Sequence, residues 1–555
     1  MIKNKKILLG LFFLIILLGI FLRFWQLGKI PISPDWDEVA LGYNANSILQ
    51  TGRDEFGKFL PVVLRSFDDY KPALYTYLII PVIPLFGLSV FAVRFPSAFL
   101  GVVSIITVFF LIRRLFEDFK YRDYLALLSS FFVSVSPWDI QFSRVAFESH
   151  AGDVFNILVV FFFIKGLKKP WFLCLSAIFA ALNIYVYQSE KVFTPLLVLI
   201  LFLIYIKDLI PLKKYLVLPI ILGILFILPM VLFITQNKEA LLRVTGTSVF
   251  SEQTQLLQRD ITKLERDRKS NDKIGLVLDN RRLVFAQTIV SGYISHYNLN
   301  WLFITGDLIR HHAPEMGLLY IWQLPFVLIG IYSLAFGKFN KKTKLLLFAW
   351  FLIVPIPASI TSGVPHAVRT MNFIPLYEIF TAVGVLVSFI WLSKIKKSVL
   401  GLSTAKIAGS LIILLFVFNF IYYLDQYFVQ LNYYSAKDWQ YGWEKTVDYV
   451  KTIQGKYKKI IVSDKEPLDR SYMFFAFYLK YPPKEYQSYG SQESGGFAEI
   501  HKFDKYEFRP LNYAKDIKDS NVLLIGIPSE FPGSVTPLKT IYYPDGKPVI
   551  EIVGK

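Results

Sequence analysis

The sequence is poor in cysteine and in charged residues. Its one cysteine, Cys174, stands inside an apolar run, so the chain can form neither an intrachain disulfide nor a cysteine-based metal site. Charged residues make up 18% of the chain, whereas average soluble domains carry about 25%. Motifs typical of nucleotide binding, such as a Walker loop or a GxGxxG turn, are also missing. With a hydrophobic content of 54%, this shortage of charge excludes a soluble enzyme, a disordered chain and a fibrous protein, and it indicates an integral membrane protein.

Apolar runs recur along most of the chain, and a membrane-spanning helix needs about 20 mostly apolar residues. The predicted spans are residues 7–24, 95–112, 124–138, 150–164, 171–187, 193–206, 215–234, 317–336, 344–360, 371–392 and 405–424. We interpret the first as an anchor rather than a signal peptide, because no small-residue cleavage site follows it. The predicted fold class is an α-helical polytopic membrane protein with about 11 transmembrane helices.

One further apolar run, residues 73–91, decides the orientation of the chain. It contains Pro81, Pro84 and Gly87, which disfavour a regular span. If it does not span, the amino terminus and five segments between spans share one side and hold 21 Lys and Arg against 4 Asp and Glu. Lys and Arg concentrate in cytoplasmic segments. We therefore predict a cytoplasmic amino terminus and an interfacial helix over 73–91 on the outer side. The net charge of +18 then reflects orientation in the cell membrane, not binding to nucleic acid.

This topology predicts two domains. Residues 1–424 form the transmembrane domain, with long outer loops over 25–94 and 235–316. Residues 425–555 form an extracytoplasmic soluble α/β domain, because their pattern changes from long apolar runs to short strands and turns. The expected elements of this domain are strands over 458–464 and 521–527, a helix near 470–480, and a hairpin with an Asp-Gly turn over 542–553.

Two acidic residues follow the first predicted span. Asp37 and Glu38 open an apolar stretch, residues 39–49, that would hold them at the membrane interface. A carboxylate in this position can accept a proton from a hydroxyl group. The alternative interpretation is a solvated acidic loop, and we favour it for most of the other acids in this loop. Asp37 and Glu38 are therefore candidate catalytic residues.

Cations are found at the ends of two apolar runs. Lys71 comes directly before the run 73–91, and His366 and Arg369 come before the span 371–392. Arg is suited to bidentate contacts with phosphate, and Lys binds phosphate as a point charge. The competing interpretation is that these side chains anchor their helices at the lipid headgroups. On the functional interpretation they hold a lipid-linked phosphate.

Two more predicted outer segments carry ionisable residues. Arg144 and Glu148 are spaced near one helical turn, so they form either part of a binding site or a local ion-pair cluster. The segment 305–317 contains the adjacent histidines His311 and His312. Neighbours on a helix point about 100° apart, so this pair alone is a weak signal for a metal. We favour a polar lining over a zinc site.

The clusters share a side of the membrane, and in them cations alternate with carboxylates. A base beside phosphate-binding cations, open to the lipid, suits a donor with a lipid phosphate as its leaving group. A donor used outside the cell cannot depend on cytosolic nucleotide sugars. The competing hypothesis is a multi-pass transporter or lipid flippase, a class that tends to show internal repeats and polar residues near the bilayer midplane. The predicted spans contain few charges at that depth.

The order and spacing of these motifs resemble the GT-C glycosyltransferases, specifically the protein O-mannosyltransferase and aminoarabinose-transferase-like group. The resemblance covers most of the membrane region, and it makes residues 1–424 a GT-C-like transmembrane catalytic domain. The motifs that carry it are, in order, Asp37-Glu38, Lys71-Pro72, VRFPSAFLG (93–101), RRLF (113–116), GD…RHH…G (306–317) and PHAVR (365–369).

The resemblance implies an inverting transferase that uses a polyprenyl-phosphate sugar as donor. Asp37 would be the general base, with Glu38 in support, and Lys71 and Arg369 would hold the lipid phosphate as charge develops on it. Further candidates for contact with the phosphate or the sugar are Arg144, Glu148 and His366. No metal or other cofactor is expected. The expected partners are the lipid-linked donor and a glycan, lipid or protein acceptor, while the oligomeric state is not indicated.

Overall fold

The structure is a computed structural model, and it describes residues 5–67, 69–237, 248–250, 255–395, 398–399, 402–489, 501–519 and 521–555. Parts of the predicted loop 235–316 and of two basic segments used for orientation, residues 1–4 and 396–397, lie outside the described residues.

Helices occupy most of the chain up to residue 434. The first eleven, labelled α1 to α11 in order, are Lys5–Phe24, Trp36–Thr51, Leu74–Ile79, Ile83–Phe86, Val90–Leu115, Arg122–Val135, Pro137–Ser143, Glu148–Gly166, Phe172–Asn183, Glu190–Leu209 and Lys213–Gln236. The later α-helices of this region, named by their bounds, are Gln255–Ser270, Lys273–Leu278, Arg281–Ser295, Gln323–Phe336, Lys341–Ile353, Ile356–Ser359, Ile374–Leu392, Thr404–Asp425 and Leu431–Tyr434.

The apolar helices confirm a multi-pass membrane protein. Seven of the described helices are long and apolar enough to cross a membrane, or eight if the bent pair α6 and α7 counts as one span. The predicted count of 11 is not confirmed, because the helical run Glu190–Gln236, counted here as one candidate span, covers two predicted spans that a 3-10 turn, Ile210–Leu212, joins. Two more predicted spans lie on the shorter apolar helices Phe172–Asn183 and Gln323–Phe336.

The run 73–91 forms two short helices, α3 and α4, instead of a span. Gly87 ends α4 with a φ of 67°, a left-handed backbone conformation that favours glycine. A hairpin precedes the run, with strands β1 (Val63–Ser66) and β2 (Asp69–Pro72) in antiparallel register. These short elements agree with the prediction that 73–91 does not span, and they put Lys71 opposite Leu64 in the hairpin.

Glycines permit a close contact between two helices of the membrane region. A Cβ atom on Gly330 would lie 1.9 Å from the carbonyl oxygen of Phe380, and one on Gly384 would lie 1.9 Å from that of Phe326. The helices Gln323–Phe336 and Ile374–Leu392 therefore cross with their backbones in direct contact. Small residues permit this approach between membrane helices, where van der Waals packing replaces the hydrophobic effect.

The chain ends in a small domain built on a six-stranded sheet. Two short strands of the helical region, β3 (Ser398–Val399) and β4 (Leu402–Ser403), pair with each other and are not part of this sheet. The strands of the sheet are β5 (Lys459–Val462), β6 (His501–Phe503), β7 (Tyr506–Phe508), β8 (Val522–Gly526), β9 (Lys539–Tyr542) and β10 (Pro548–Gly554). The spatial order is β6-β7-β5-β8-β10-β9, and β5 runs parallel to both of its neighbours. The remaining α-helices are Trp443–Ile453, Ser471–Leu479, Pro483–Ser488 and Tyr513–Asp516. These elements confirm the predicted α/β character of the tail.

The helix Ser471–Leu479 connects this domain to α2. Its residues Ser471–Phe477 are buried, and the ring of Phe477 packs against Gly42, where an added Cβ atom would lie 2.7 Å away. The hydroxyl of Tyr43 donates a hydrogen bond to the carbonyl of Tyr481 (3.1 Å). The C-terminal domain therefore lies directly on the helix that begins with the predicted catalytic acids.

Candidate active site

The site is built around the first turn of α2. Asp35 is the N-cap residue, and its side chain accepts a hydrogen bond from the backbone N–H of Glu38 (3.0 Å), while the Glu38 side chain accepts one from the N–H of Asp35 (3.2 Å). This reciprocal capping box satisfies two backbone donors that the helix would otherwise leave unpaired.

Glu38 lies in a buried ion pair. Arg94 of α5 binds it with two nitrogens, Nε to Oε1 at 2.8 Å and Nη2 to Oε2 at 2.9 Å. The backbone N–H of Ala146 donates a third hydrogen bond to Oε1 (2.9 Å). The exposed fractions of the Glu38 and Arg94 side chains are 2% and 0%. Glu38 thus ties α2 to α5 and to the chain before α8.

Asp37 is paired with Lys71. The hairpin of β1 and β2 brings the ammonium group to the carboxylate, and the exposed fractions of the side chains are 25% for Asp37 and 11% for Lys71. Burial opposes ionisation of Asp37, but the charges of Lys71, Arg470 and Arg310 outweigh it and hold the pKa of Asp37 below its usual value. Asp37 is therefore an ionised carboxylate that solvent can still reach.

Two arginines from distant parts of the chain complete this cluster. Arg310 donates from Nη1 to Oδ2 of Asp35 (2.8 Å). Its guanidinium and that of Arg470 both lie over the ring of Trp36, at 4.4 and 3.8 Å from the ring centroid. Burial raises the pKa of Asp35 to about 6, although the charge of Arg310 acts in the opposite direction.

Arg144 and Glu148 lie nearby but in other surroundings. Arg144 is fully buried, and its Nη1 and Nη2 donate to the carbonyl oxygens of Leu22, Arg23, Trp25 and Ile30 at 2.7–3.1 Å. Leu22 and Arg23 belong to the last turn of α1, and Trp25 and Ile30 follow it, so the arginine caps that helix and shapes the chain that leads to α2. Glu148 is the first residue of α8, and 6% of it is exposed.

His366 belongs to a separate group that we call the histidine cluster, made of Asp307, His311 and His366. One ligand atom from each lies within 4.8 Å of the others, so the described part of the chain contains a group that could hold a metal ion. His311 Nδ1 lies 3.0 Å and His366 Nδ1 lies 4.0 Å from Oδ2 of Asp307. Burial, with the charge of Arg369, lowers the pKa of His366 to about 3. His366 is therefore neutral at pH 7 and can donate or accept hydrogen bonds but supplies no charge.

Arg369 lies beside the histidine cluster. Its Nη1 donates to Oγ1 of Thr361 (2.5 Å) and to the carbonyl of Ser362 (2.6 Å). The side chain is half-buried, and its charge acts on His366 and His296. The structure thus brings together Asp37 and Lys71, as predicted, but places His366 and Arg369 around a second centre. The segment that carries Arg310 and His311 joins the two centres.

Sequence reasoning missed Arg470 and gave no role to Trp36 or Arg310. A weak signal was available for Arg310, since it lies in the GD…RHH…G motif. None was available for Arg470, because it belongs to the tail that was predicted to be a separate domain.

Comparisons with known proteins identify the fold but no close relative. No family model matches the chain, and no curated protein matches it. The structure is similar to ArnT, an aminoarabinose transferase from Cupriavidus metallidurans solved with undecaprenyl phosphate, with a TM-score of 0.55 and 12% identity over 99% of this chain and 98% of that one.

It is also similar to the oligosaccharyltransferase AglB from Archaeoglobus fulgidus, solved with an inhibitory peptide and a dolichol-phosphate. There the TM-score is 0.51 and the identity 14%, over 86% of this chain and 64% of that one. Both proteins have the GT-C fold. The predicted resemblance to GT-C glycosyltransferases is therefore confirmed at the level of the fold.

Proposed function

We propose that this protein is a membrane glycosyltransferase that moves a sugar from a polyprenyl-phosphate donor to an acceptor hydroxyl group. The observation that carries the proposal is the ionised Asp37 paired with Lys71, with two further cations beside it. Such a cluster offers a proton acceptor and the positive charge that a departing phosphate requires. The GT-C fold supports the proposal, since the two similar structures hold undecaprenyl phosphate and a dolichol-phosphate.

In the proposed reaction, the acceptor oxygen attacks the anomeric carbon of the donor sugar from the face opposite the phosphate. The bond between that carbon and the phosphate oxygen breaks, and its electron pair leaves with the phosphate. The proton of the acceptor hydroxyl passes to Asp37. The products are a glycoside of inverted configuration and a polyprenyl phosphate whose added negative charge is stabilised by Lys71.

The pair of Asp37 and Lys71 gives this mechanism a resting state. A carboxylate whose pKa is held low by a neighbouring cation is a weak base. When the donor phosphate arrives, it competes for the ammonium group of Lys71. As the cation moves toward the phosphate, the pKa of Asp37 rises, and the carboxylate becomes a stronger base when the substrate is in place.

The other predicted residues receive different proposed roles. Glu38 and Arg144 position the site, because their side chains are occupied by buried contacts with Arg94 and with backbone carbonyls. Arg369 and His366 lie at the second centre, and we propose that they contact the donor or the acceptor away from Asp37. We propose that side-chain cations neutralise the phosphate and that no metal is needed. We also propose that the site faces the extracytoplasmic side, as the distribution of basic segments predicts.

The test uses the purified full-length protein in nanodiscs, supplied with polyprenyl-phosphate sugars, with a mixture of hydroxyl-bearing glycan, lipid and peptide acceptors, and with no ion gradient. Release of polyprenyl phosphate is measured by mass spectrometry. We expect consumption of donor by the wild type and a loss of two to four orders of magnitude in Asp37→Asn, typical of removing a general base.

A matched control is available in the pair of Asp208 and Lys342, which are 2.5 Å apart and half-exposed. Asp208→Asn should leave the rate unchanged. An unaltered rate in Asp37→Asn would remove Asp37 from the mechanism. A wild type that moves lipid between leaflets without breaking the bond to the sugar would favour the flippase hypothesis.

A further inference from the structure

The C-terminal domain places Arg470 at the candidate active site. Arg470 precedes the helix Ser471–Leu479, and its guanidinium carbon lies 3.8 Å from the centroid of the Trp36 ring and 5.0 Å from that of Phe67. Its charge also contributes to the low pKa of Asp37. A residue from the end of the chain therefore lies at the first turn of α2, where the proposed chemistry takes place.

This approach is held by a specific set of hydrogen bonds. The side chain of Gln440 accepts one from the backbone N–H of Trp36 (3.0 Å) and donates one to the carbonyl of Asp469 (3.1 Å). It thereby links the start of α2 to the residue before Arg470. On the other side, Asp464 accepts hydrogen bonds from the N–H and the hydroxyl of Ser471 (3.0 and 3.2 Å). The backbone on both sides of Arg470 is thus fixed.

The arrangement carries features that oppose stability. Arg470 has a φ of 63°, and the φ values of Gln440, which bonds to Asp469, and of Phe67, which Arg470 contacts, are 47° and 55°; all three lie in the left-handed region that favours glycine. Two guanidinium groups, those of Arg310 and Arg470, share one indole ring and repel each other, and the carboxylates of Asp37, Asp469 and Asp35 offset this repulsion at Arg470. Strained backbones and like charges held together are typical of functional sites, where the surrounding structure enforces them.

We propose that Arg470, with Arg310, forms a phosphate-binding position around Trp36, so that the C-terminal domain supplies part of the donor site. A guanidinium stacked on an aromatic ring uses its flat face for that contact. Its N–H groups lie in the plane of the group, in the fork geometry that matches two phosphate oxygens. This inference rests on the proposed function, since it takes the phosphate to be that of the lipid-linked donor.

The donor is the favoured source of the phosphate because of where the position lies. Lys71, the proposed contact of the donor phosphate, and Arg470 both act on the carboxylate of Asp37. A phosphate that takes the place of this carboxylate as their partner can bind both cations. An acceptor hydroxyl must approach the same carboxylate, but it brings no negative charge that requires a second cation.

The experiment measures lipid binding to the detergent-solubilised full-length protein by native mass spectrometry. The probes are undecaprenyl phosphate and undecaprenol, which differ only in the phosphate. A charge-assisted hydrogen bond contributes enough that Arg470→Ala should weaken binding of undecaprenyl phosphate by roughly 10- to 100-fold. Binding of undecaprenol should not change, and Arg470→Lys should fall between wild type and Arg470→Ala.

Lys480 provides the matched control. It flanks the other end of the same helix and has a φ of 52°, but it lies with Glu444, Asp448 and Lys451 in a cavity away from Asp37. Lys480→Ala should bind both lipids as the wild type does. The inference is overturned if folded Arg470→Ala and Arg470→Gln bind undecaprenyl phosphate within twofold of the wild type. It is also overturned if they lose both lipids equally, because the side chain would then act on the fold or on the prenyl chain.

The binding assay does not depend on transfer. A protein that binds undecaprenyl phosphate through Arg470 but transfers no sugar would contradict the proposed function and leave the phosphate-binding position standing, without its assignment to a donor. If Arg470→Ala binds the donor and transfers sugar as the wild type does, the inference about Arg470 is contradicted and the proposed function is kept.

Discussion

Asp37 and Glu38 are adjacent carboxylates with opposite expected responses to the loss of charge. Glu38→Gln leaves Arg94 buried without a negative partner, although the side-chain volume is nearly kept. The Glu38 and Arg94 side chains have exposed fractions of 2% or less, and the oxygens Oε1 and Oε2 of Glu38 accept three hydrogen bonds at 2.8–2.9 Å. Removing one partner of a buried ion pair costs about 3–5 kcal/mol. Because glutamine keeps one acceptor oxygen, we expect about 3 kcal/mol.

Asp37→Asn should behave differently. The Asp37 and Lys71 side chains are 25% and 11% exposed, so solvent compensates for the loss of this pair better than for the loss of the pair of Glu38 and Arg94. We therefore expect a smaller change in the free energy of unfolding than in Glu38→Gln, together with the loss of transfer described above. Denaturant titration of the purified protein in mixed micelles measures the first quantity, and release of polyprenyl phosphate measures the second.

The two variants together test the assignment of roles. If Glu38→Gln keeps its stability and loses only activity, Glu38 acts on substrate and the buried pair has been misinterpreted. If Asp37→Asn unfolds as easily as Glu38→Gln, its loss of activity says nothing about a base. Either result would refute the division into a reacting and a positioning carboxylate.

Three other outcomes are expected. Gly384→Ala should destabilise the protein by about 1–3 kcal/mol through overpacking, whereas Gly223→Ala, with no atom within 4 Å of the new Cβ, should not, as thermal denaturation can show. Activity should fall as the pH drops through about 6, because protonated Asp35 no longer holds the guanidinium group of Arg310. A plot of the transfer rate of Asp35→Asn against pH should lack this fall. EDTA should leave the transfer rate unchanged. A metal would instead be assigned to the histidine cluster if EDTA lowered the rate, Zn²⁺ restored it, and this response to EDTA and Zn²⁺ were absent in His366→Ala but present in His312→Ala.

The sequence predicted the elements whose signal is local. Each predicted span falls on a helix, because apolar runs in a membrane protein need no distant partner to be recognised. The strands at 458–464 and 521–527 and the closing hairpin are likewise confirmed. The strands His501–Phe503 and Tyr506–Phe508 were missed, since three residues are too few to show an alternating pattern.

Polar contacts inside the helical region were harder to predict. Arg23 of α1 pairs with Asp139, which also lies 3.2 Å from Nε2 of His150. No pattern in the sequence indicates a partner for Arg23 or for His150. Their burial depends on how α1, α7 and α8 pack, which apolar periodicity does not specify. The same holds for Arg144, whose function as a cap for α1 is set by a tertiary contact.

The site itself divides in the same way. Lys71 lies 34 residues from Asp37, and both belong to the first long loop, so a reading of that loop alone could pair them. Arg310 is 275 residues from Asp35, and the contact between Gln440 and Trp36 joins residues 404 apart. Only the packing of the sheet domain on α2 brings Arg470 to Asp37. The C-terminal domain is therefore part of the candidate active site, and removing it would expose Trp36 and withdraw a cation from Asp37 even if every membrane helix stayed in place.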